Sequence, residues 1–187
     1  MEIKEQNIRA AYNAADESQK TLLRSLFPDL SLGQNEPDNR PVTERIKTFE
    51  DACTALGIDA FTEEEKYEGM MPDEVAYQKL RIICQALNEE WTPKFTKDEV
   101  RWYPWHWLYD DEEIADMDDE EKADRHFMTT GEYVTEFAGF AFADSRDAPS
   151  GAPASVGSRL CLKSDALATY CGKQFIRLWA DFKLIRR

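Results

Sequence analysis

The stretch RWYPWHWLY, residues 101–109, constrains this chain more than any other. Side chains of a strand point alternately to its two faces. The alternation therefore puts Tyr103, Trp105, Trp107 and Tyr109 on one face and Trp102, Pro104, His106 and Leu108 on the other. With large apolar groups on both sides, the fold must supply another layer to cover at least one of them. Pro104 has no N–H to give to a ladder, which assigns the strand to a sheet edge or makes its start irregular. The reading favoured for Tyr103, Trp105, Trp107 and Tyr109 is a buried face that receives the last helix, whose Phe175, Trp179 and Phe182 need a partner. The alternative is an exposed stacking platform for a glycan or peptide, with carboxylates close by for sugar hydroxyls.

Helical periods surround this strand. Residues 3–27 repeat Ile8, Ala11, Tyr12, Ala15, Leu22, Leu23 and Leu26 at three and four. Their polar middle, ADESQK, weakens the helix, and Pro28 ends it. Residues 28–41 have loop composition. Thr43 is read as the cap of a second helix bearing Ile46, Phe49, Ala52, Cys53 and Leu56, stopped by Gly57. Residues 59–72 connect, with room for one helical turn. Asp73 is read as the cap of a third helix to about Glu90, with Val75, Leu80, Ile83, Cys84 and Leu87 as its apolar stripe. Past the aromatic strand, EFAGFAFA (136–143) and SRLCLK (158–163) read as two more strands. Ser164 caps a final helix carrying Leu167, Cys171, Gln174, Leu178, Phe182 and Ile185. Gly172 inside it costs about 1 kcal/mol relative to alanine and marks a close approach by a neighbouring element.

The fold class expected is α+β: a helical N-terminal half, a small antiparallel sheet of about three strands, and a C-terminal helix packed on the sheet. With 187 residues, one domain over 1–187 is expected. Within it, 1–41 is open to being a helical appendage, 110–126 is an acidic loop or helix, and 144–157 is a flexible loop. No internal repeat is read.

Charge is the second constraint. Asp110, Asp111, Glu112, Glu113, Asp116, Asp118, Asp119, Glu120, Glu121 and Asp124, with Lys122 the one base among them, concentrate −9 of the chain's net −14 into 15 residues. One acidic loop imitates a duplex poorly, since a decoy of DNA needs carboxylates at phosphate-like spacing over a surface. The same charge repels phosphates and speaks against direct nucleic-acid binding. Residues 173–187 carry +4 and are candidates to pair with the acidic segment.

Complete chemical motifs are missing. Asp116, Asp118 and Glu120 have EF-hand spacing, but Glu121 stands where the loop needs glycine and Phe127 where it needs a bidentate glutamate. CGKQF (171–175) fails as a phosphate loop, with Leu167 and Gln174 at positions that require glycine and Ser or Thr. Cys53, Cys84, Cys161 and Cys171 form no CxxC pair, and only His106 and His126 exist, which disfavours histidine-rich metal centres. Nucleophilic catalysis would have to use Cys161 or Cys171 with either histidine, or a serine outside any recognisable elbow, since there is no GxSxG. His106 between two tryptophans reads as a packed, hydrogen-bonded residue. Carboxylate pairs for glycoside hydrolysis are unconstrained in a chain with 37 acids.

Tyr103-Pro104-Trp105 and GSRLCLKSDALATYCGKQF (157–175) together resemble a group of small proteins carried by bacteriophages and prophages of Bacteroides-type gut bacteria. There a Tyr-Pro-Trp strand is followed by an Arg-Leu-Cys strand and a helix ending in Gly-Lys-Gln-Phe. The likeness covers the C-terminal half and, more loosely, the helix from Asp73 to Trp91, but neither the first 40 residues nor the acidic insertion. It implies a phage-derived intracellular protein and brings no activity or site residue. The expected function is thus a non-enzymatic, cytoplasmic interaction protein of phage or prophage origin. Its partner is expected to be a protein met by the acidic segment, with no cofactor, metal, membrane or direct nucleic-acid binding. The alternatives are the aromatic ligand-binding module and an acidic decoy of a nucleic-acid-binding host protein.

Overall fold

The computed structural model describes residues 5–30, 40–94, 96, 98–149 and 158–187. The chain divides into two compact units, Met1–Arg40 and Pro41–Arg187. The first holds α1 (Glu5–Ala14), α2 (Glu17–Leu26) and a 3-10 turn at Pro28–Leu30. The single helix read over 3–27 is therefore two. Asp16, inside ADESQK, leaves helical conformation to cap α2. Its carboxylate accepts the Gln19 N–H at 2.9 Å while the Gln19 side chain accepts the Asp16 N–H at 3.0 Å. Ile8 and Tyr12 are buried here against Leu23, Phe27 and Leu30.

The second unit begins with the single turn α3 (Val42–Arg45), followed by α4 (Phe49–Ala55). Thr48, not Thr43, is the cap. Thr48 is followed three residues later by Asp51, which completes a reciprocal capping box, whereas Thr43 is followed at that distance by Ile46. Gly57 ends the region at φ +68, a conformation open to glycine. Asp59 caps α5 (Ala60–Glu65). In α6 (Pro72–Asn88) Pro72 occupies the first helical position, where a missing N–H costs nothing, so Met71 is the capping residue and Asp73 falls in the first turn.

The sheet consists of β1 (Val100–Tyr109), β2 (Met128–Thr129) and β3 (Gly139–Pro149), antiparallel in the order β1-β3-β2. Between β1 and β2 lie α7 (Asp111–Asp116) and α8 (Asp119–Asp124). β1 is an edge, as Pro104 demands. Trp105 opposes Asp144 and His106 opposes Phe142, leaving Ala143 as the extra residue of a bulge. Residues 144–149, read as flexible loop, continue β3, and the remainder of that reading, 150–157, lies outside the described residues.

The strand read at 158–163 does not form. Ser158–Leu160 is a 3-10 turn, and Leu162 alone pairs with Trp102, exchanging two 2.9 Å hydrogen bonds. Buried Asn88 satisfies the neighbours instead, its Nδ2 donating to the Cys161 carbonyl at 2.8 Å and its Oδ1 accepting the Lys163 N–H at 2.9 Å. The third strand is the two-residue β2.

Ser164 caps α9 (Asp165–Gln174), and the chain turns at Phe175 into α10 (Ile176–Lys183), so the last helix is bent into two. The core joins α4 and α6 to these helices and the sheet through Leu80, Ile83, Leu87, Leu162, Cys171 and Trp179. The architecture is α+β, with α9 and α10 on one side of the sheet and α7 on the other.

Candidate functional site

The two faces of β1 have different neighbours. On the inner face Trp102 and Leu108 pack on the core, Pro104 is buried, and the His106 ring stacks on Phe140 at 4.9 Å and 8°. α9 comes down on this face at Gly172, where a Cβ would stand 2.6 Å from the Pro104 Cβ and 2.7 Å from the Phe142 ring. Glycine is what lets the helix approach. The last carbonyls of a helix lack partners within it. Here Cys171 O takes the Phe175 N–H and also the Trp179 indole N–H, both at 3.2 Å, and Gly172 O takes the His106 Nε2–H at 3.1 Å.

With its proton on Nε2, His106 presents Nδ1 as acceptor to Lys183 Nζ at 2.9 Å. Lys183 is exposed as a residue, yet its ammonium reaches the Pro104 carbonyl at 3.4 Å and stands 5.2 Å from the Trp179 ring centre. Burial, then the Lys183 charge, pushes His106 down to about 3 against the opposing Gly172 bond. Burial pushes Lys183 down to about 8. The imidazole is a neutral fastener between strand and helix at pH 7.

The outer face is divided. Tyr103 is 5% exposed, Trp105 45% and Trp107 55%, and Tyr109 is half-buried with its ring 6.4 Å from Phe127. The expectation that these four aromatics receive the last helix is overturned, because Gly172 lets α9 pack closely on the opposite face, against Pro104 and Phe142. The outer face is covered at one end. Gly139, opposite Tyr109, has Phe127 and Ile114 within 2.3 and 3.1 Å of where a Cβ would sit. At the other end the Arg146 guanidinium lies 4.5 Å from the Trp105 ring centre and pairs with Asp144 at 3.2 Å.

The acidic segment is two copies of one unit, DDEEIAD at 110–116 and DDEEKAD at 118–124, which corrects the reading that the chain has no repeat. Each copy folds as a short capped helix. Asp110 and Asp118 accept the N–H of Glu113 and Glu121, both at 2.8 Å. The copies differ where Ile114 in α7 turns to the sheet and Lys122 in α8 stands in its place. Glu121 pairs with Arg125 at 2.9 Å and Asp124 with Lys173 at 2.8 Å, the latter holding the Asp124 carboxyl below its ordinary range. Asp111, Glu112, Asp116, Asp119 and Glu120 are exposed, and their carboxylates make no hydrogen bond or ion pair among the described residues. The basic C-terminal stretch reaches the segment through Lys173, while Arg177 and Arg186 turn to Glu132. Among the described residues no group of three or more His, Cys, Asp or Glu is placed to hold a metal ion.

All four cysteines are buried and none is in a disulfide. Burial raises the Cys161 thiol to about 11, and a bond to Cys171 followed by burial raises Cys84 as well. A protonated Cys161 and a His106 with both nitrogens committed do not make a nucleophilic couple.

Sequence reasoning missed the repeat, which a comparison of the chain with itself at an offset of eight would have found. It also missed the polar face of α6, visible as Gln78, Arg81, Gln85 and Glu89 at three and four. Compared with protein-family models, with curated proteins and with solved structures, the chain matches none.

Proposed function

We propose that this chain is a non-enzymatic interaction protein that meets a protein partner through the outer face of β1. The observation that carries this reading is the pair Trp105 and Trp107, roughly half exposed side by side on an edge strand whose inner face is fully engaged. Tryptophan and arginine are the residues that dominate protein contacts, and Arg146 is stacked on Trp105. That guanidinium occupies a ring face a sugar would need, which favours a protein over a glycan. The five unengaged carboxylates of α7 and α8 flank the Tyr109 end and supply a salt-sensitive rim. On the resemblance above, the setting proposed is a cell carrying a phage or prophage. Among the described residues no helix is long and apolar enough to cross a membrane.

A photo-crosslinking residue placed at Trp107, and separately at the exposed Phe61, tests the reading in producing cells. A discrete adduct at 107 that is absent at 61 is expected. Identical adduct patterns at both positions, or hydrolytic turnover lost on Cys161→Ala, would reject it.

A further inference from the structure

We infer that the groove along the polar face of α6 binds a small anion carrying a flat ring, of the nucleoside monophosphate kind, with Arg81 and Arg159 on the anion and Trp91 on the ring. The apolar stripe of α6 enters the core, and the opposite stripe, with Gln78, Arg81, Ile82 and Gln85, floors a cavity of about 680 Å3. That is within the size range of small-molecule sites, roughly 300–1,000 Å3. Trp91, Ile58 and Arg159 stand in its walls.

The ion pairing decides the sign of the ligand. Two acids line the groove and both are engaged. Glu63 is held by Lys66 and the Tyr67 hydroxyl, and Glu89 by Arg45 at 2.7 Å and Lys163 at 2.8 Å. The two arginines are not matched in this way. Arg81 lies 5.8 Å from the Tyr77 ring centre and donates to the Gln78 amide at 3.2 Å, touching no carboxylate among the described residues. Arg159 is exposed and makes no ion pair among them. The groove therefore keeps two guanidiniums for a ligand, and guanidinium forks match phosphate and carboxylate oxygens. A net charge of −14 on the whole chain opposes a long polyanion, which limits the ligand to a small one.

The rim is rigid. Glu89 sits at φ 53, ψ −120, a conformation that a residue with a side chain adopts at a cost, and it is held there by its two cations and by the bonds of Asn88 to Cys161 and Lys163. The backbone N–H of Trp91 donates to Asn88 O at 3.0 Å, which pins the main chain that carries the half-buried indole at the same corner. An aromatic face lining the same groove as two cations suits a planar ring joined to an anion. Gln85, exposed on the floor, has its amide available for the edge of such a ring.

Calorimetric titration of the full chain with AMP, adenosine and inorganic phosphate tests this, with Arg159→Gln, Arg81→Gln and Trp91→Leu as site variants and Val134→Ala, at an exposed residue outside the groove, as a control. AMP is expected to bind at least about tenfold more tightly than adenosine or phosphate. Arg159→Gln should weaken AMP by about tenfold and Trp91→Leu by about fivefold, with Val134→Ala unchanged. Urea midpoints equal to wild type certify folding of the variants. The inference is overturned by absence of AMP binding at about 1 mM, by phosphate binding as well as AMP, or by an Arg159→Gln variant that binds like wild type.

Discussion

The inner and outer faces of β1 share one backbone and both carry rings, yet α9 settles on one and leaves the other half open. The inner face presents Pro104 and the edge of Phe142 to a glycine, so helix and strand come close enough for a His106–Gly172 hydrogen bond. The outer face has more aromatic surface and would hold a helix further away. Interiors select for fit at close range, and the richest aromatic face is not the best packed one.

The largest expected effect breaks the inner face. Gly172→Leu forces a branched side chain into space held by Pro104 and Phe142, and should cost about 3 kcal/mol or more in urea unfolding. Gly172→Ala gains roughly 1 kcal/mol of helix propensity and should still be net destabilised. A stabilised alanine variant would show that the close approach is not required.

His106→Gln comes next and adds a pH signature. The folded value of about 3 lies below the ordinary 6.5, so as pH falls through 6.5 the unfolded chain takes up a proton that the native ring refuses. Stability contributed by the neutral ring is therefore whole above 6.5 and is lost on acidification. The variant should be less stable than wild type by roughly 1–2 kcal/mol at pH 7, and the gap should narrow by a similar amount towards pH 5. That window lies above the range where Asp59, Glu89 and Asp124, all held low, begin to titrate. Parallel curves for the two proteins would mean that His106 takes its proton in the fold.

The same contrast explains what was legible in the sequence. Period sufficed for α6 and β1, and period with a capping residue for the start of α9, because those signals are local. Gly172 was legible as a close-approach site, but not which surface approached it, since both sets of alternate residues in β1 are aromatic and nothing local chooses between them. The strand read at Ser158–Lys163 failed because its backbone is satisfied by Asn88, a side chain 70 or so residues away in sequence whose role no pattern announces. Of the candidate site, Trp105 and Trp107 were legible as members of one strand face, and their reading as core is overturned by their exposure. The acidic run was seen as charge, and its repeat, in which Asp110 and Asp118 act as caps before they act as charges, was not.

Removing those caps is a smaller perturbation and acts on the outer face. Asp110→Ala should cost about 1 kcal/mol, because α7 is tied to the sheet through Ile114 and its loss of order uncovers Gly139. Asp118→Ala removes an equivalent cap from α8 at a similar local cost. Hydrogen exchange separates the two. Faster exchange should reach the Tyr109 end of β1 in the first variant and stop within 118–126 in the second, and identical maps would deny Ile114 its seating role.

The smallest effect on stability belongs to the tryptophans that make the outer face conspicuous. Trp107 is 55% exposed, so Trp107→Ala should change stability in urea unfolding by no more than about 0.5 kcal/mol. Trp105 shares its ring with Arg146, and Trp105→Ala should cost slightly more, about 0.5–1 kcal/mol for the lost cation–π contact. If both rings are nearly free of the fold, large exposed apolar groups are being kept at a site where folding does not use them, and the crosslinks at 107 become the measure of what does. A loss above about 2 kcal/mol for Trp107→Ala would place the ring back among the packed residues and erase the difference between the faces.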